Sequence, residues 1–242
     1  MFTAFTAFTA GIRRLPVLNR HSGGFSMAKD VADMRKEYSA KGLDEIDMPK
    51  EPMKLFQQWF DEACSSKMHE PNAMCLSTAD GTGRPSARIV LLKQFDDRGF
   101  VWYTNYESRK SDDLTVNPNA CLTFWWGELE RQIRIEGAVE KVSAQESDAY
   151  FNSRPKGSQI GAWTSDQSRP VADRTALEDK ETTLKAKYES QEVVQRPPHW
   201  GGWRILPTYV EFWKGRQSRL HDRLAYTRES GAKNWKMERL QP

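Results

Sequence analysis

The hydrophobic pattern changes period once along the chain. Val31, Met34 and Tyr38 recur at helical spacing from Asp30, and the run from Met53 to Cys64 repeats it, so two helices are predicted there. Pro49 and Pro52 separate them. From Ala73 onward the apolar residues gather instead into short runs rich in Val, Ile, Phe, Tyr and Trp, bounded by turn residues, which reads as strands. These fall at 73–79, 86–95, 99–104, 120–126, 131–143, 203–214, 219–228 and 234–240. Asp80 to Gly83 and Asp96 to Gly99 supply the tight turns that hairpins between successive strands require. Helical patterns at 107–115, 144–153 and 172–190 interrupt the strands, the last with Glu178, Glu181 and Lys185 placed as exposed charge pairs. The predicted class is mainly β, a β-barrel with peripheral helices. The only repeat is the opening Phe-Thr-Ala triplet, and no glycine-rich phosphate loop is present.

Residues 1–29 contain no Asp or Glu but carry Arg13, Arg14, Arg20 and Lys29. That bias fits a mitochondrial transit segment and equally a disordered tail with no address. The folded domain is expected over 30–242. Charge narrows the function: 36 basic against 33 acidic residues give a net charge of +3, too even for a dedicated nucleic-acid binder, so any anion site must be local. Three scattered cysteines, Cys64, Cys75 and Cys121, suggest neither a disulfide framework nor a zinc site. No apolar run approaches the ~20 residues needed to span a bilayer. The expected location is cytoplasmic, with mitochondrial import through the extension as the alternative.

Four segments carry candidate chemistry. Arg88, Ile89, Val90, Leu91, Leu92 and Lys93 form an apolar strand closed at both ends by a cation. In a regular strand residues five apart face opposite sides, so Arg88 and Lys93 are expected to serve different anions; solvated strand ends would look the same. Tyr103 and Thr104 end a strand, and Ser108 is placed to cap a helix whose first turn holds Arg109 and Lys110, which suits a phosphate. Tyr150 and Arg154 share a helix face that ends at Pro155, leaving Ser158 in a loop able to fold back on them. Phenol, guanidinium and hydroxyl then suit a phosphate monoester. Last, alternation puts Arg219, His221 and Arg223 on one strand face, a row of like charges that calls for an anion or an electron-rich ring.

In order, spacing and residue type these segments resemble the pyridoxamine (pyridoxine) 5'-phosphate oxidase family from about residue 30 to the end. The runs Glu211-Phe212-Trp213 and Arg219-Leu220-His221-Asp222-Arg223 are the most specific part, and the stretches Leu129 to Gln132 and Ser158 to Trp163 also match. The resemblance implies an FMN-binding split barrel, working as a homodimer with flavin at the subunit interface. It implies flavin contacts from the whole Arg88 to Lys93 strand, from Tyr103, Thr104, Arg109 and Lys110, and from Gln132, Gln167, Ser168, Trp213 and Arg223. For the substrate phosphate it implies Lys93, Tyr150, Arg154 and Ser158. Arg219, Leu220 and His221 would meet the pyridine ring, with Arg219 and His221 as catalytic candidates, while Arg35 and Tyr38 match a segment that closes over it.

The activity so implied is oxidation of pyridoxine 5'-phosphate or pyridoxamine 5'-phosphate to pyridoxal 5'-phosphate, with O2 reoxidising the flavin to give peroxide, and ammonia released from the amine. A cofactor that carries the redox step leaves the protein to orient two rings and neutralise two phosphates, which accounts for cations and aromatics in place of a catalytic triad. Another split-barrel flavoprotein would keep the flavin cradle without the Tyr150, Arg154 and Ser158 trio. A pyridoxal phosphate carrier would bind vitamers without flavin reduction. Single-stranded nucleic acid, suggested by nine tryptophans among the arginines, is disfavoured by the near-neutral charge.

Overall fold

The structure, a computed structural model, describes residues 37, 38 and 42–242. The expectations for residues 1–29, for the helix opening at Asp30 and for Arg35 lie outside the described residues. A helix α1 (Pro52–Ser65) comes first, with proline at its first position, where the missing N–H costs nothing. Then follow β1 (Ala73–Ala79), β2 (Pro85–Leu91), β3 (Gln94–Asp96), β4 (Gly99–Asn105), α2 (Arg109–Val116), β5 (Asn119–Trp126) and β6 (Arg131–Lys141). Helices α3 (Ala144–Ser153), α4 (Lys156–Thr164) and α5 (Arg174–Tyr188) lead to β7 (Trp200–Lys214), β8 (Asp222–Thr227) and β9 (Lys236–Arg239).

All pairings are antiparallel, in the order β2-β1-β5-β6-β7-β4-β3, with β8 added to β7 and β9 to β8. Strands β2 and β3 stand at opposite ends of this path yet are joined by Leu92 and Lys93 alone, so the sheet must curl into a barrel. The predicted single strand at 86–95 therefore breaks there. The Leu92 N–H goes to Asn72 O beside β1, while the Lys93 N–H goes to Val101 O on β4. Both predicted hairpin turns form: Asp80 accepts from the backbone of Thr82 and Arg84, and Asp96 from that of Arg98.

Strand β7 makes the barrel split. Its first half pairs with β4 and its second half with β8, whereas β6 runs along its other edge throughout. The change of partner falls at Pro207, which has no N–H to give, and the β6 register shifts between Glu136 and Gly137 opposite it. A Cβ at Gly137 would run into the Leu206 carbonyl, so only glycine permits this approach.

The core fills the barrel and is plugged by α1. Leu55, Phe56, Trp59 and Ala63 share the buried face of that helix, and Phe56 meets Phe100, Phe95 and Phe124 at centroid distances of 4.7, 4.9 and 5.4 Å. Each such buried side chain contributes about 1.5–3 kcal/mol. A second, smaller core of Phe151, Ile160, Ala162, Tyr188, Val194 and Trp200 ties α3, α4 and α5 to the start of β7. Among the described residues no helix is long and apolar enough to cross a membrane.

Helix α4 corrects the sequence reading, which left Ser158 in a loop. Pro155 ends α3 and also stands at the N-cap of α4, which holds Ser158 in its first turn. Two glycines weaken the local helical signal, but Gln159, Ile160, Ala162 and Thr164 are buried, and Gln159 Nε2 donates to the Phe151 carbonyl at the end of α3, which also accepts from the Arg154 N–H.

Candidate active site

A cavity of about 910 Å³ opens between β2, the end of β4, the start of α2, the α3–α4 corner and the loop after α4. Arg88, Ile89, Val90, Leu91 and Lys93 all line it, as do Tyr103, Thr104, Arg109, Lys110, Tyr150, Arg154, Ser158, Gln167 and Ser168. Arg88 and Lys93 thus share one cavity. The opposite-face expectation fails because the chain turns the barrel corner between them. Leu92 does not line the cavity: its side chain is in the core.

One group within the cavity is cationic. Arg88 donates from Nη1 to Leu76 O (3.1 Å) and Thr78 Oγ1 (2.8 Å), bonds to Ser86 through Nη2, and lies 3.9 Å from the buried carboxylate of Asp113. Lys110 is buried, and its Nζ donates to Gln167 Oε1 (2.9 Å), Ser108 Oγ (3.0 Å) and Thr104 Oγ1 (3.1 Å). Burial first, and the Arg88 charge second, push the Lys110 ammonium down to about 8. Arg109 is exposed alongside and adds its own repulsion to Arg88. Three cations around one nearby buried carboxylate make an anion-binding field. Ser108 does stand at the N-cap, yet its hydroxyl donates to Asn105 O instead of capping α2. The loop is fastened by Arg169, which donates to Glu107 O (2.7 Å) and Asp112 (3.0 Å), and Ser168 takes a left-handed φ of 70°.

A second group is aromatic. Tyr103 stacks on Tyr150 at 4.0 Å and on Trp200 at 5.5 Å, and the Arg154 guanidinium lies 4.6 Å over the Trp200 ring. Burial, with the nearby Glu146 and Tyr150, pushes the Tyr103 phenol up to about 12, so it stays protonated. Among the described residues, Arg154 Nη1 is buried and has no hydrogen-bond partner. A buried, unpaired guanidinium nitrogen costs free energy until an acceptor arrives. The approach of Tyr103 depends on Gly202, where a Cβ would come within 2.6 Å of Val142 Cγ2 and 2.8 Å of Tyr103 Cε1. Trp200, Asn105, Gly161 and Ser165 line the cavity without having been singled out from sequence. The two glycines after Trp200 were the available signal of close packing there.

The remaining candidates lie elsewhere: Gln132, Trp213, Arg219, Leu220, His221 and Arg223 do not line this cavity. Gln132, Trp213 and Arg223 are register partners across β6, β7 and β8, with Trp125 next in the row on β5. Trp125 and Leu220 are exposed. Trp213 stands 4.6 Å from the His221 ring, and the Tyr38 ring meets both edge-on, at 5.8 and 5.6 Å.

The predicted row of Arg219, His221 and Arg223 on one strand face does not form. Strand β8 begins only at Asp222; Ser218 and Arg219 take left-handed φ values of 53° and 63°, and the Arg216 N–H donates to His221 Nδ1, closing a loop. The charge of Arg223 is met by Glu211, which accepts at 2.7 and 3.1 Å. Burial alone would raise the Glu211 carboxyl, but hydrogen bonds from Arg223 and Tyr209 and the charges of Arg223 and Arg134 hold it below its ordinary value. His221 is lowered, chiefly by burial and then by Arg219, against Asp222. With Nδ1 accepting from the Arg216 N–H, the neutral ring carries its proton on Nε2.

A curled antiparallel barrel split along β7, with a cation-lined cavity at its wall, is the split β-barrel of flavin-binding oxidases. Residues 60–188 match the family model described as pyridoxamine 5'-phosphate oxidase, and residues 200–242 match the pyridoxine 5'-phosphate oxidase C-terminal dimerisation region. The chain belongs to the pyridoxine/pyridoxamine 5'-phosphate oxidase family and is an oxidoreductase of that family. It is 54% identical over 216 residues to the pyridoxine/pyridoxamine 5'-phosphate oxidase of Nostoc punctiforme, covering 89% of this chain and 100% of the relative. Against the Bordetella avium oxidase it is 56% identical over 212 residues, 88% of this chain and 99% of that one. Among solved structures, PhzG from Burkholderia lata, in complex with tetrahydrophenazine-1-carboxylic acid, superposes with a TM-score of 0.76 at 34% identity, covering 81% and 95% of the two chains. A pyridoxamine 5'-phosphate oxidase-related FMN-binding protein of Nostoc punctiforme gives 0.62 at 16% identity, covering 78% and 96%, a likeness of fold.

Proposed function

We propose that the chain oxidises pyridoxine 5'-phosphate and pyridoxamine 5'-phosphate to pyridoxal 5'-phosphate with FMN and O2, releasing peroxide, and ammonia from the amine. The observation that carries the reading is that one cavity is lined by two sets of side chains suited to an anion: Arg88, Arg109 and Lys110, and Tyr150, Arg154 and Ser158. Two phosphate monoesters, a flavin mononucleotide and a phosphorylated substrate, answer to two such groups. The unpaired Arg154 Nη1 supports a phosphate there.

FMN, when bound, supplies the acceptor for a hydride equivalent from the substrate's C4' carbon. Arg88, Arg109 and Lys110 would hold its phosphate, with Gln167 and Ser168 closing the loop over it. Tyr150, Arg154, Ser158 and Lys93 would anchor the substrate phosphate. Arg219 would hold the pyridine ring, and neutral His221 would present its Nε2 proton to the C4' substituent.

Because Arg219 and His221 do not line the cavity of their own chain, we infer a homodimer in which the C-terminal cluster of one subunit completes the cavity of the other. The dimerisation-region match over 200–242 and the exposed Trp125 and Leu220 beside that cluster support this. The PhzG relative was captured with a carboxylic acid rather than a phosphate ester, and the Tyr150, Arg154 and Ser158 group favours the ester here. The test is anaerobic mixing of the flavin-loaded protein with pyridoxine 5'-phosphate. Bleaching of the flavin band near about 450 nm, then recovery with peroxide on admitting air, is expected. A yellow protein that does not bleach would move the substrate elsewhere.

A further inference from the structure

The last strand carries a side chain that the site, as described, does not use. Arg239 on β9 donates from Nη2 to Leu43 O (2.6 Å) and to Glu45 Oε2 (2.7 Å), from Nη1 to Asp222 Oδ1 (2.6 Å), and pairs through Nε with the other Glu45 oxygen. The second Asp222 oxygen accepts from the Leu43 N–H (3.0 Å) and lies 3.7 Å from Arg216 Nη1. One guanidinium thus joins three stretches distant in sequence, at Leu43 to Glu45, Asp222 and the C-terminal strand.

Both ends of this clasp run into the His221 cluster. On one side, Asp222 adjoins His221 and pairs with Arg216, whose backbone N–H is the donor to His221 Nδ1. On the other, Leu43 follows Gly42, which packs so tightly on Arg216 that a Cβ there would overlap the guanidinium. Four positions before Gly42 stands Tyr38, whose ring lies on Gly215, where a Cβ would be 2.6 Å from Tyr38 Cγ, and edge-on to Trp213 and His221.

We propose that Arg239 is a positioning residue for the reaction: by clasping Leu43 and Glu45 to Asp222 it holds Tyr38 and His221 in register with each other. The inference rests on the proposed function, in which His221 meets the C4' substituent, and on the resemblance by which Tyr38 belongs to a segment that closes over the substrate ring. Arg239 and Glu45 are each about 40% exposed (39% and 40%), and a pair so exposed adds little to global stability. Its contribution is geometric, since a displacement of about 1 Å is enough to weaken substrate orientation. The cluster carries its own charge control. Hydrogen bonding to Arg239 holds the Glu45 carboxyl down at about 2, so the clasp is ionised at neutral pH. The other charged groups facing it are Asp222, which pairs with Arg239 and Arg216, and Arg219, which acts on His221.

The test compares flavin-loaded wild type with Arg239→Ala, Arg239→Lys and Glu45→Gln, by substrate kinetics and flavin affinity. For Arg239→Ala the proposal expects kcat/KM for pyridoxine 5'-phosphate to fall about 10-fold or more, with kcat lowered as well as KM raised, and flavin affinity unchanged. Arg239→Lys should recover part of the loss, and Glu45→Gln should reproduce its direction if Arg239→Ala folds poorly. Unchanged kcat/KM would overturn the proposal, and so would a fall in flavin affinity equal to the fall in kcat/KM. Wild type that binds flavin but fails to oxidise the substrate would instead sink the functional reading on which the proposal rests.

Discussion

Lys110 Nζ donates a 2.9 Å hydrogen bond to Gln167 Oε1, joining the first turn of α2 to the loop after α4 across 57 positions of chain. Thr104 Oγ1 donates to the same oxygen, so strand, helix and loop converge on one amide. Because Lys110 is pushed down to about 8, its charge at the cavity is pH-dependent. A phosphate binds the protonated form, so flavin affinity should be constant below about pH 8 and fall as pH rises through it. Flavin fluorescence titrations at pH 7 and 9 check this. Lys110→Met should weaken binding about 10- to 150-fold, the range for losing a charge-assisted hydrogen bond of about 1.5–3 kcal/mol, and abolish that pH dependence.

Arg154 bears on the other anion. Replacing it with Ala removes the guanidinium held over Trp200 and should raise KM for the phosphorylated substrate about 10- to 100-fold while leaving flavin affinity within about twofold. Arg154→Lys keeps the charge but loses the planar fork, and should fall between. Equal losses of substrate and flavin binding would mean that the two anion groups are one.

Glu211 is a structural carboxylate, only 1% exposed and shared by Arg223, Arg134 and Tyr209. Glu211→Gln keeps the shape but leaves Arg223 without its counter-charge and Arg134 with Glu136 as its remaining one. A loss of about 3–5 kcal/mol is expected, read as a lower urea midpoint with unchanged slope.

Acid should loosen the α3 end of the barrel before it empties the cavity. Glu146 is held down at about 2, first by the hydrogen bond from Arg204, against burial, and then by the Ser143 backbone and hydroxyl. Its folded value lies below its ordinary 4.5, so its stabilisation is complete above about pH 4.5 and is lost as pH falls toward 2. Glu146→Gln should lower stability at pH 7 and flatten its decline over that window, in urea titrations at pH 7, 4 and 3. The capping box with Ser143 makes the start of α3 the first segment to lose protection.

Much of this was legible in the chain. The strands at 73–79, 99–104 and 120–126 and the helix at 144–153 agree with β1, β4, β5 and α3 to within a residue, because alternation, turn residues and caps are local signals. Helix α4 was not legible, since Gly157 and Gly161 dilute its helical signal and only burial of Ile160 and Ala162 sustains it. Trp200 was not singled out, and its place beneath Arg154 depends on β7 reaching the α3–α4 corner.

The residue types at the cavity, the hairpins and the β-rich class were determined by the sequence alone, because side-chain chemistry and period-2 burial are written residue by residue. Tertiary structure decided which of those residues meet. Arg88 and Lys93 share a cavity because the barrel closes between them at Leu92. Arg223 pairs with Glu211 because β7 sets that carboxylate beside it. The Arg219 and His221 cluster falls outside the cavity because it leads into β8, which pairs with the second half of β7, whereas β4 and the cavity lie at its first half. Each of these follows from sheet closure and strand register, long-range pairings that no local pattern along the chain encodes.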